Sequence, residues 1–538
     1  MVRENLRKSL STKVNNVVVF NKIDYIIFTL LTLMILYTIL YFFFHWFSFR
    51  DLFYHTVNFS ILTVVLSIVL INNLGRWFLL PFMKKPRPME AQPGWKVAVV
   101  TTFVPGAESF EMLEETVRAL VNLEYQHDTW VLDEGGDPRV LLLCQKLGAR
   151  YFSRRYLAKY VTDDGIFKVN TKYGNYNAWL YDIGFETYDI ITAFDPDHVP
   201  KSEFLLKVLG YFEDPAVAYV QTAQAYYNQQ ACFIARGAAE ETYAYYSSVQ
   251  MASYGMGYPV LVGSHNTHRV TALKQVGGFA PHDADDVLLT LHYRAHRWQG
   301  VYVPEILARG LTPVDWPGYL TQQRRWARSV LDIKLRTYPS LAKTLSIPTR
   351  VMSFLHGLNY LYKSVVIVAS VILTAGMFAT GMIPKVISLQ MIPKLVILFL
   401  VLQLCNFYRQ KFYLDRSNEY GMHIMNFVLN YAKFSYMLLA FLDVISQKET
   451  CYTITKKVRK TSKIYTLYWP NILIISLLVL SRLTGFILGR DSNVCLDVLA
   501  STMIIMSFAL IVSERLHFPE PYDADLAHWQ SRYPTPLM

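Results

Sequence analysis

Three kinds of hydrophobic pattern divide this chain. The first is the long unbroken run. Residues 23–47 and 53–82 are of this kind, the second weakened by Asn72, Asn73 and Arg76. Four more come late, at 351–378, 392–408, 467–488 and 494–512. A bilayer core about 30 Å thick takes about 20 residues of helix, so each run is long enough to cross one. The second kind is an alternation of strand and helix between residues 95 and 304. Residues 96–103, 129–132, 189–194 and 216–221 read as strands, and 113–123 and 138–147 as helices, with Pro138 at a first helical position. That alternation predicts an α/β domain with a mainly parallel sheet and helices on both faces. Ligands of such sheets bind outside the carboxyl ends of the strands, where Asp133 and Asp195 stand. The third kind is 424–445, apolar but interrupted by Asn426, Asn430, Lys433 and Asp443.

Charge orients these elements. Arg3, Arg7, Lys8, Lys13 and Lys22 precede the first run, and Lys84, Lys85 and Arg87 follow the second. The positive-inside rule puts both segments on the cytoplasmic side. Arg409, Lys411 and Arg416 precede 424–445, and Lys456, Lys457, Arg459, Lys460 and Lys463 follow it. A crossing there would send one cluster outside, so an amphipathic helix at the cytoplasmic interface is expected, with six crossings in all. Proline at 86, 88 and 93 stiffens the linker into the α/β domain.

Composition agrees with a membrane protein: of 538 residues, 53% are hydrophobic and 17% charged. The net charge of +11 lies largely beside the apolar runs, where it suits lipid headgroups. No soluble face interleaves basic and aromatic residues, so no nucleic-acid partner is expected. The five scattered cysteines argue against a disulfide framework and a structural zinc. The segment before the first run lacks the features of a cleavable signal peptide.

Several short stretches carry chemistry. Asp195-Pro196-Asp197 ends an apolar strand, and two carboxylates so spaced can share a divalent cation with a diphosphate, though surface turns produce the same letters. Asp133 is followed by Glu134-Gly135-Gly136, which lets backbone approach a nucleotide or simply makes a β-turn. In Lys172-Tyr173-Gly174-Asn175, Lys172 could meet a diphosphate and Asn175 could cap a helix. Asp285 and Asp286 open a helical run, where acids are favoured in any case. Gln322-Gln323-Arg324-Arg325-Trp326 joins amide, guanidinium and indole within two turns. An indole face suits a pyranose ring and a guanidinium forks onto phosphate; a surface helix with a half-buried Trp is the plainer alternative.

Taken together these residues resemble the processive family-2 glycosyltransferases. Gln322, Arg325 and Trp326 fit the QxxRW motif, and Phe194 to Pro200 is similar to the family's segment around its D-x-D. The nearest resemblance is to the bacterial cellulose synthase catalytic subunit, with hyaluronan and chitin synthases as relatives. Tyr452 to Lys457 resembles the F-x-V-T-x-K gating loop of that group. Two departures stand out: residues 102–106 replace P-x-Y-N-E, and Ala284-Asp285 replaces Thr-Glu ahead of Asp286.

The resemblance implies an α/β GT-A (Rossmann-like) cytoplasmic domain inserted between α-helical transmembrane bundles. On that reading 1–22 is a basic cytoplasmic start, 23–82 two spans, 83–94 a linker and 95–345 the enzyme domain. Residues 346–513 hold four spans, the interfacial helix 424–445 and the gating loop 448–463, and 514–538 form a cytoplasmic tail. It also implies roles. Asp286 is the general base, and Asp195 and Asp197 hold Mg²⁺ or Mn²⁺. Asp133, Lys172, Asn175, Asp195, Gln322, Arg325 and Thr455 hold the nucleotide-sugar, and Trp326 holds the acceptor. The implied activity is an inverting, processive polymerisation of a UDP-sugar, first of all UDP-glucose into a cellulose-like β-glucan, with export of the polysaccharide. The alternatives are a synthase of hyaluronan or chitin type using UDP-GlcNAc, and a non-processive glycolipid synthase of the ceramide glucosyltransferase type. The expected location is the plasma (inner) membrane, with UDP-sugar, growing polysaccharide and lipid bilayer as partners; accessory subunits stay open.

Overall fold

The computed structural model describes residues 13–48, 55–358, 360–447, 464–491 and 493–513. Ten strands are present among them: β1 (Asn16–Val18), β2 (Lys84–Pro86), β3 (Val97–Phe103), β4 (Asp128–Asp133), β5 (Arg150–Phe152), β6 (Ile190–Phe194), β7 (Val199–Pro200), β8 (Val217–Tyr226), β9 (Asn266–Arg269) and β10 (Gln299–Gly310). β1 and β2 form an antiparallel pair of their own. The other eight build one sheet in the order β5-β4-β3-β6-β9-β8-β10-β7.

β3 lies among parallel neighbours and is buried along its whole length, which is why it reads as an unbroken apolar run. Its side chains alternate between two cores. Ala98 and Val100 pack with Trp179 and Leu289 on one face, Val97 and Val99 with Leu120 and Phe204 on the other. β9 runs against both β6 and β8, so those two point the same way, as do β4, β5 and β10. The sheet is therefore mainly parallel as expected, with β9 and the short edge strand β7 reversed. Register sets Asp133 opposite Phe103 and Phe194 opposite Thr101. The segments leaving β3, β4 and β6 consequently emerge together at one edge.

The helices used below are α1 (Lys22–Ser48), α2 (Thr56–Phe78), α3 (Phe110–Val121), α4 (Pro138–Leu147), α5 (Lys172–Trp179), α6 (Phe233–Ala244), α7 (Asp285–Ala295), α8 (Trp316–Asp332), α9 (Ile347–Leu358), α10 (Tyr362–Thr380), α11 (Ile392–Arg409), α12 (Ile424–Ala432), α13 (Phe434–Ile445), α14 (Ile464–Ile487) and α15 (Val494–Ser513). Among the described residues, six helices are long and apolar enough to cross a membrane: Lys22–Ser48, Thr56–Phe82, Tyr362–Thr380, Leu389–Phe412, Leu467–Ile487 and Val494–Ser513. The run 351–378 is not one helix, because α9 ends before residue 359 and α10 starts at Tyr362. The run 424–445 is bent by 44° between α12 and α13, and would add a seventh crossing if the pair spanned.

That bent pair is tied to the enzyme domain by ions and by close packing. Arg324 on α8 reaches Asp443 on α13 at 2.5 Å, and Lys433 at the bend reaches Glu241 on α6 at 2.7 Å. Asn426 N donates to Glu240 at 2.9 Å. A Cβ at Gly237 would lie 2.7 Å from Leu429, so only glycine lets α6 meet α12 this closely.

Candidate active site

The turn after β6 brings three metal-competent side chains together. Ligand atoms of Asp195, Asp197 and His198 lie within 4.8 Å of one another. Thr116 on α3 holds the turn by donating to the Pro196 carbonyl at 2.7 Å. The Gln224 amide donates to His198 Nε2 at 3.1 Å, while Tyr246 donates to Gln224 Oε1 at 2.8 Å. His198 Nδ1–H is then the donor to Asp197 Oδ1, at 2.8 Å. A Cβ at Gly310 would stand 2.3 Å from His198 Nε2, so this approach needs glycine. The two carboxylates suit a divalent cation such as Mg²⁺ or Mn²⁺, with His198 as the donor that orients Asp197.

Lys172, the first residue of α5, places its ammonium 2.5 Å from Asp195 Oδ1 and also donates to the Gly263 carbonyl. Ser264 Oγ accepts from Asp195 N at 3.0 Å, so both residues of the Gly263-Ser264 turn grip the strand end. The helix is capped by Thr171, whose hydroxyl accepts from Gly174 N at 3.1 Å. This corrects the expectation that Asn175 caps it. Asn175 lies inside α5, donates to the Leu132 carbonyl at 3.0 Å, and leaves its buried Oδ1 without a partner among the described residues.

Asp285 and Asp286 start α7 on the opposite wall. Asp286 Oδ1 accepts from Val287 N at 2.7 Å. Its other oxygen lies 3.7 Å from the position a Cβ would take on Gly263, beside the Lys172–Asp195 pair. Burial raises the Asp286 carboxyl well above the carboxylate range, and the neighbouring charge of Asp285 adds to the shift. Burial likewise raises Asp285, against the attraction of Lys172. A carboxylate so shifted is a stronger base, poised near neutral pH.

A single cavity of about 1400 Å³ joins these groups. Lys172, Asn175, Asp195, Asp197 and Asp286 line it together with Gln322, Arg325 and Trp326 of α8. Helix α8 is fixed at its start by Asp315, which accepts from Gly318 N at 2.8 Å. In the middle of the motif, Gln323 accepts from Lys433 at 2.9 Å.

Asp133 is not brought to this cavity. It is fully buried and accepts from Gly135 N at 2.9 Å, Asp137 N at 2.5 Å and Tyr151 at 3.1 Å, so its carboxylate holds the turn. The wall is formed instead by Glu134, paired with buried Arg154 at 2.6 Å. Thr455 and the rest of the expected gating loop, 448–463, lie outside the described residues, as does the tail 514–538.

One acid on the wall was missed in the sequence. Glu108 accepts from Val104 N at 2.8 Å and faces the cavity. Burial and then the charges of Asp197 and Asp195 push its carboxyl up to about 8, so it is protonated at neutral pH without a cation. The available signal was an acid a few residues beyond a strand that ends at the same sheet edge as Asp195.

Residues 96–329 match the family described as glycosyltransferase like family 2. Cellulose synthase 1 of Komagataeibacter xylinus is 28% identical over 277 residues, which cover 49% of this chain and 17% of that protein. The UDP-forming cellulose synthase catalytic subunit of Xanthomonas axonopodis pv. citri is 26% identical over 295 residues, 52% of this chain and 38% of that protein. The matched segments thus span well under half of these relatives. Among solved structures, the mannosyltransferase PcManGT from Pyrobaculum calidifontis in complex with GDP-Man and Mn²⁺ superposes with a TM-score of 0.50 at 13% identity. It covers 73% of this chain and 99% of that chain, a likeness of fold.

Proposed function

We propose that this chain, whose residues 96–329 match glycosyltransferase like family 2 and which is similar to cellulose synthases, polymerises a UDP-sugar processively, with inversion, and passes the glycan through its own membrane helices. The observation that carries this reading is the continuity of the cavity. One void runs from Asp195, Asp197 and Asp286, past Trp326, to Gln403 and Asn406 on α11. A polar glycan cannot cross bare lipid, and amide groups on a membrane helix give it hydrogen-bonding company.

In this reading Asp195 and Asp197 hold a divalent cation, which offsets charge on the leaving diphosphate, and His198 orients Asp197 by donating to it. Lys172 and Arg325 bind the diphosphate, Gln322 and Asn175 supply further polar contacts, and Trp326 carries the acceptor sugar on its face. Asp286 takes the proton of the attacking hydroxyl. The sugar donor is a nucleotide-sugar of the UDP type, in keeping with the UDP-forming relatives; UDP-glucose is the first candidate and UDP-GlcNAc the second. Asp133 shapes this site through its turn.

We place the enzyme domain on the cytoplasmic side of the plasma (inner) membrane, with α12 and α13 along its surface. The bend at Lys433 and the ion pairs of that segment with α6 and α8 support an interfacial position. The experiment is a donor panel. Purified protein is given single UDP-sugars and GDP-mannose with Mn²⁺, Mg²⁺ or EDTA. Turnover of a UDP-sugar that stops in EDTA and in Asp197→Ala is expected; turnover of GDP-mannose alone, or full rate in EDTA, contradicts the reading.

A further inference from the structure

Helix α7 begins at Asp285, and the residue in its capping position is Ala284, whose carbonyl accepts from Leu288 N at 3.1 Å. Alanine has no side-chain oxygen, so it cannot take an orphan N–H of the first turn as serine, threonine or aspartate would. The start of the helix is held from two residues back instead. Ala284 N donates to His282 Nδ1 at 3.1 Å, and His282 N donates to the Ala280 carbonyl at 2.8 Å. The imidazole closes the same turn, to the backbone two residues on, that an asparagine or aspartate side chain often closes. Further along, Thr290 accepts from Leu261 N at 3.0 Å, so α7 is held on both sides of Asp286. A backbone N–H can only donate, so Nδ1 is the acceptor and the proton of the neutral ring sits on Nε2. That N–H donates to Asp332 Oδ2, 3.2 Å away at the last position of α8. The other oxygen of Asp332 takes Arg336 Nε at 3.2 Å. The hydrogen bond from His282 is first among the causes that hold the Asp332 carboxyl below the usual carboxylate range.

One imidazole therefore joins the turn that carries Asp285 and Asp286 to the helix that carries Gln322, Arg325 and Trp326. Asp332 lies about 9 Å along the helix axis from Trp326. Between them Ser329 and Val330 line the same cavity as Asp283, Ala284 and Asp286. The side chains of His282 and Asp332 are 19% and 23% exposed, and a lone pair in contact with solvent contributes little to global stability. Its effect lies in geometry, because a base must come within about 2.6–3.2 Å of the hydroxyl it deprotonates. We propose that His282 is a positioning residue for the transfer reaction. It replaces the cap that Ala284 lacks, and through Asp332 it fixes the distance between Asp286 and the acceptor held on Trp326. This rests on the reading above of Asp286 as base and Trp326 as platform.

The test compares turnover with UDP affinity on the full chain in detergent. Turnover is measured with Mn²⁺ and UDP-glucose, or the UDP-sugar that the donor panel selects, and UDP binding by calorimetry. His282→Ala should lower kcat by about tenfold to a hundredfold, the loss expected of a base displaced by up to about 1 Å. UDP affinity should change less than about twofold, which also shows that the variant folds. His282→Asn keeps an oxygen within reach of Ala284 N and should restore most of the lost rate. Asp332→Ala should slow the wild type, yet cost less than about twofold when added to His282→Ala, because one link cannot be broken twice. Wild-type turnover in His282→Ala overturns the proposal. Equal losses of turnover and UDP affinity overturn it too, since His282 would then be a general support of the fold. So do losses that simply multiply in the double variant. An inactive wild type, or full activity in Asp286→Asn, strikes instead at the parent reading, separately from this one.

Discussion

Lys172 Nζ stands 2.5 Å from Asp195 Oδ1 and donates to the Gly263 carbonyl as well, so one ammonium couples the strand-end acid to the turn bordering Asp286. A charge-assisted hydrogen bond contributes about 1.5–3 kcal/mol. Lys172→Met should therefore weaken UDP binding by about tenfold to a hundredfold in a calorimetric titration. It should also loosen Asp195, raising the metal concentration needed for half-maximal rate. Wild-type affinity for both ligands would show that the ammonium has no part in the site.

Asp286 and Asp285 yield a pH prediction with a definite sign. The base works deprotonated, and burial, followed by the charge of Asp285, raises its pKa. The acid limb of kcat should thus lie above the ordinary carboxylate range, with activity growing as pH rises through it. Asp285→Asn removes the like charge, so the limb should move to lower pH. Asp286→Asn should retain UDP binding and lose about a hundredfold to ten-thousandfold in turnover. An unmoved limb in Asp285→Asn would contradict the coupling of the pair.

Glu108 makes a prediction about stability in EDTA. Its folded pKa of about 8 is raised above the unfolded value, so the folded state holds the extra proton. That contribution is complete below the unfolded pKa, near 4.5, and is lost as pH rises through about 8. Glu108→Gln keeps the shape of the protonated form and has no proton to lose. Thermal unfolding of the wild type should therefore fall more steeply between those limits than that of the variant. Parallel pH profiles would mean that Glu108 is solvated rather than buried.

Much of this was legible in the sequence, for identifiable reasons. Strand β3 announces itself as an apolar run because both its faces are covered, and α4 because Pro138 follows the capping Asp137. Asp195, Asp286 and Trp326 could be named early because each belongs to a motif with fixed letters. Their meeting in one cavity could not, since it depends on the register of β3, β4 and β6. Asp133 could not be decided from the letters, because an acid before two glycines reads equally as a ligand and as a turn. Its three donors make it the turn's own anchor. Asn175 misled because capping is decided by the residue before the first turn, and Thr171 holds that position. The break between α9 and α10 falls where Gly357, Asn359 and Lys363 interrupt the apolar run, a local signal that the length of the run outweighed.

Trp326 is the expected acceptor platform. Removing an indole face costs sugar stacking but leaves the diphosphate contacts in place. Trp326→Ala should cut glycan synthesis by at least about tenfold while UDP affinity changes less than about threefold. Equal losses in both would mean that the indole supports the nucleotide instead.

Processive polymerisation is the central claim, and product length tests it most directly. Purified protein is incubated with one UDP-sugar at a time, with Mn²⁺ and no added lipid acceptor. The products are sized by gel filtration and by digestion with linkage-specific hydrolases. The account predicts a glycan of many residues that appears at full length while most donor is still unspent. A product that stops at a single sugar on a lipid would contradict it and leave a glycolipid synthase in its place.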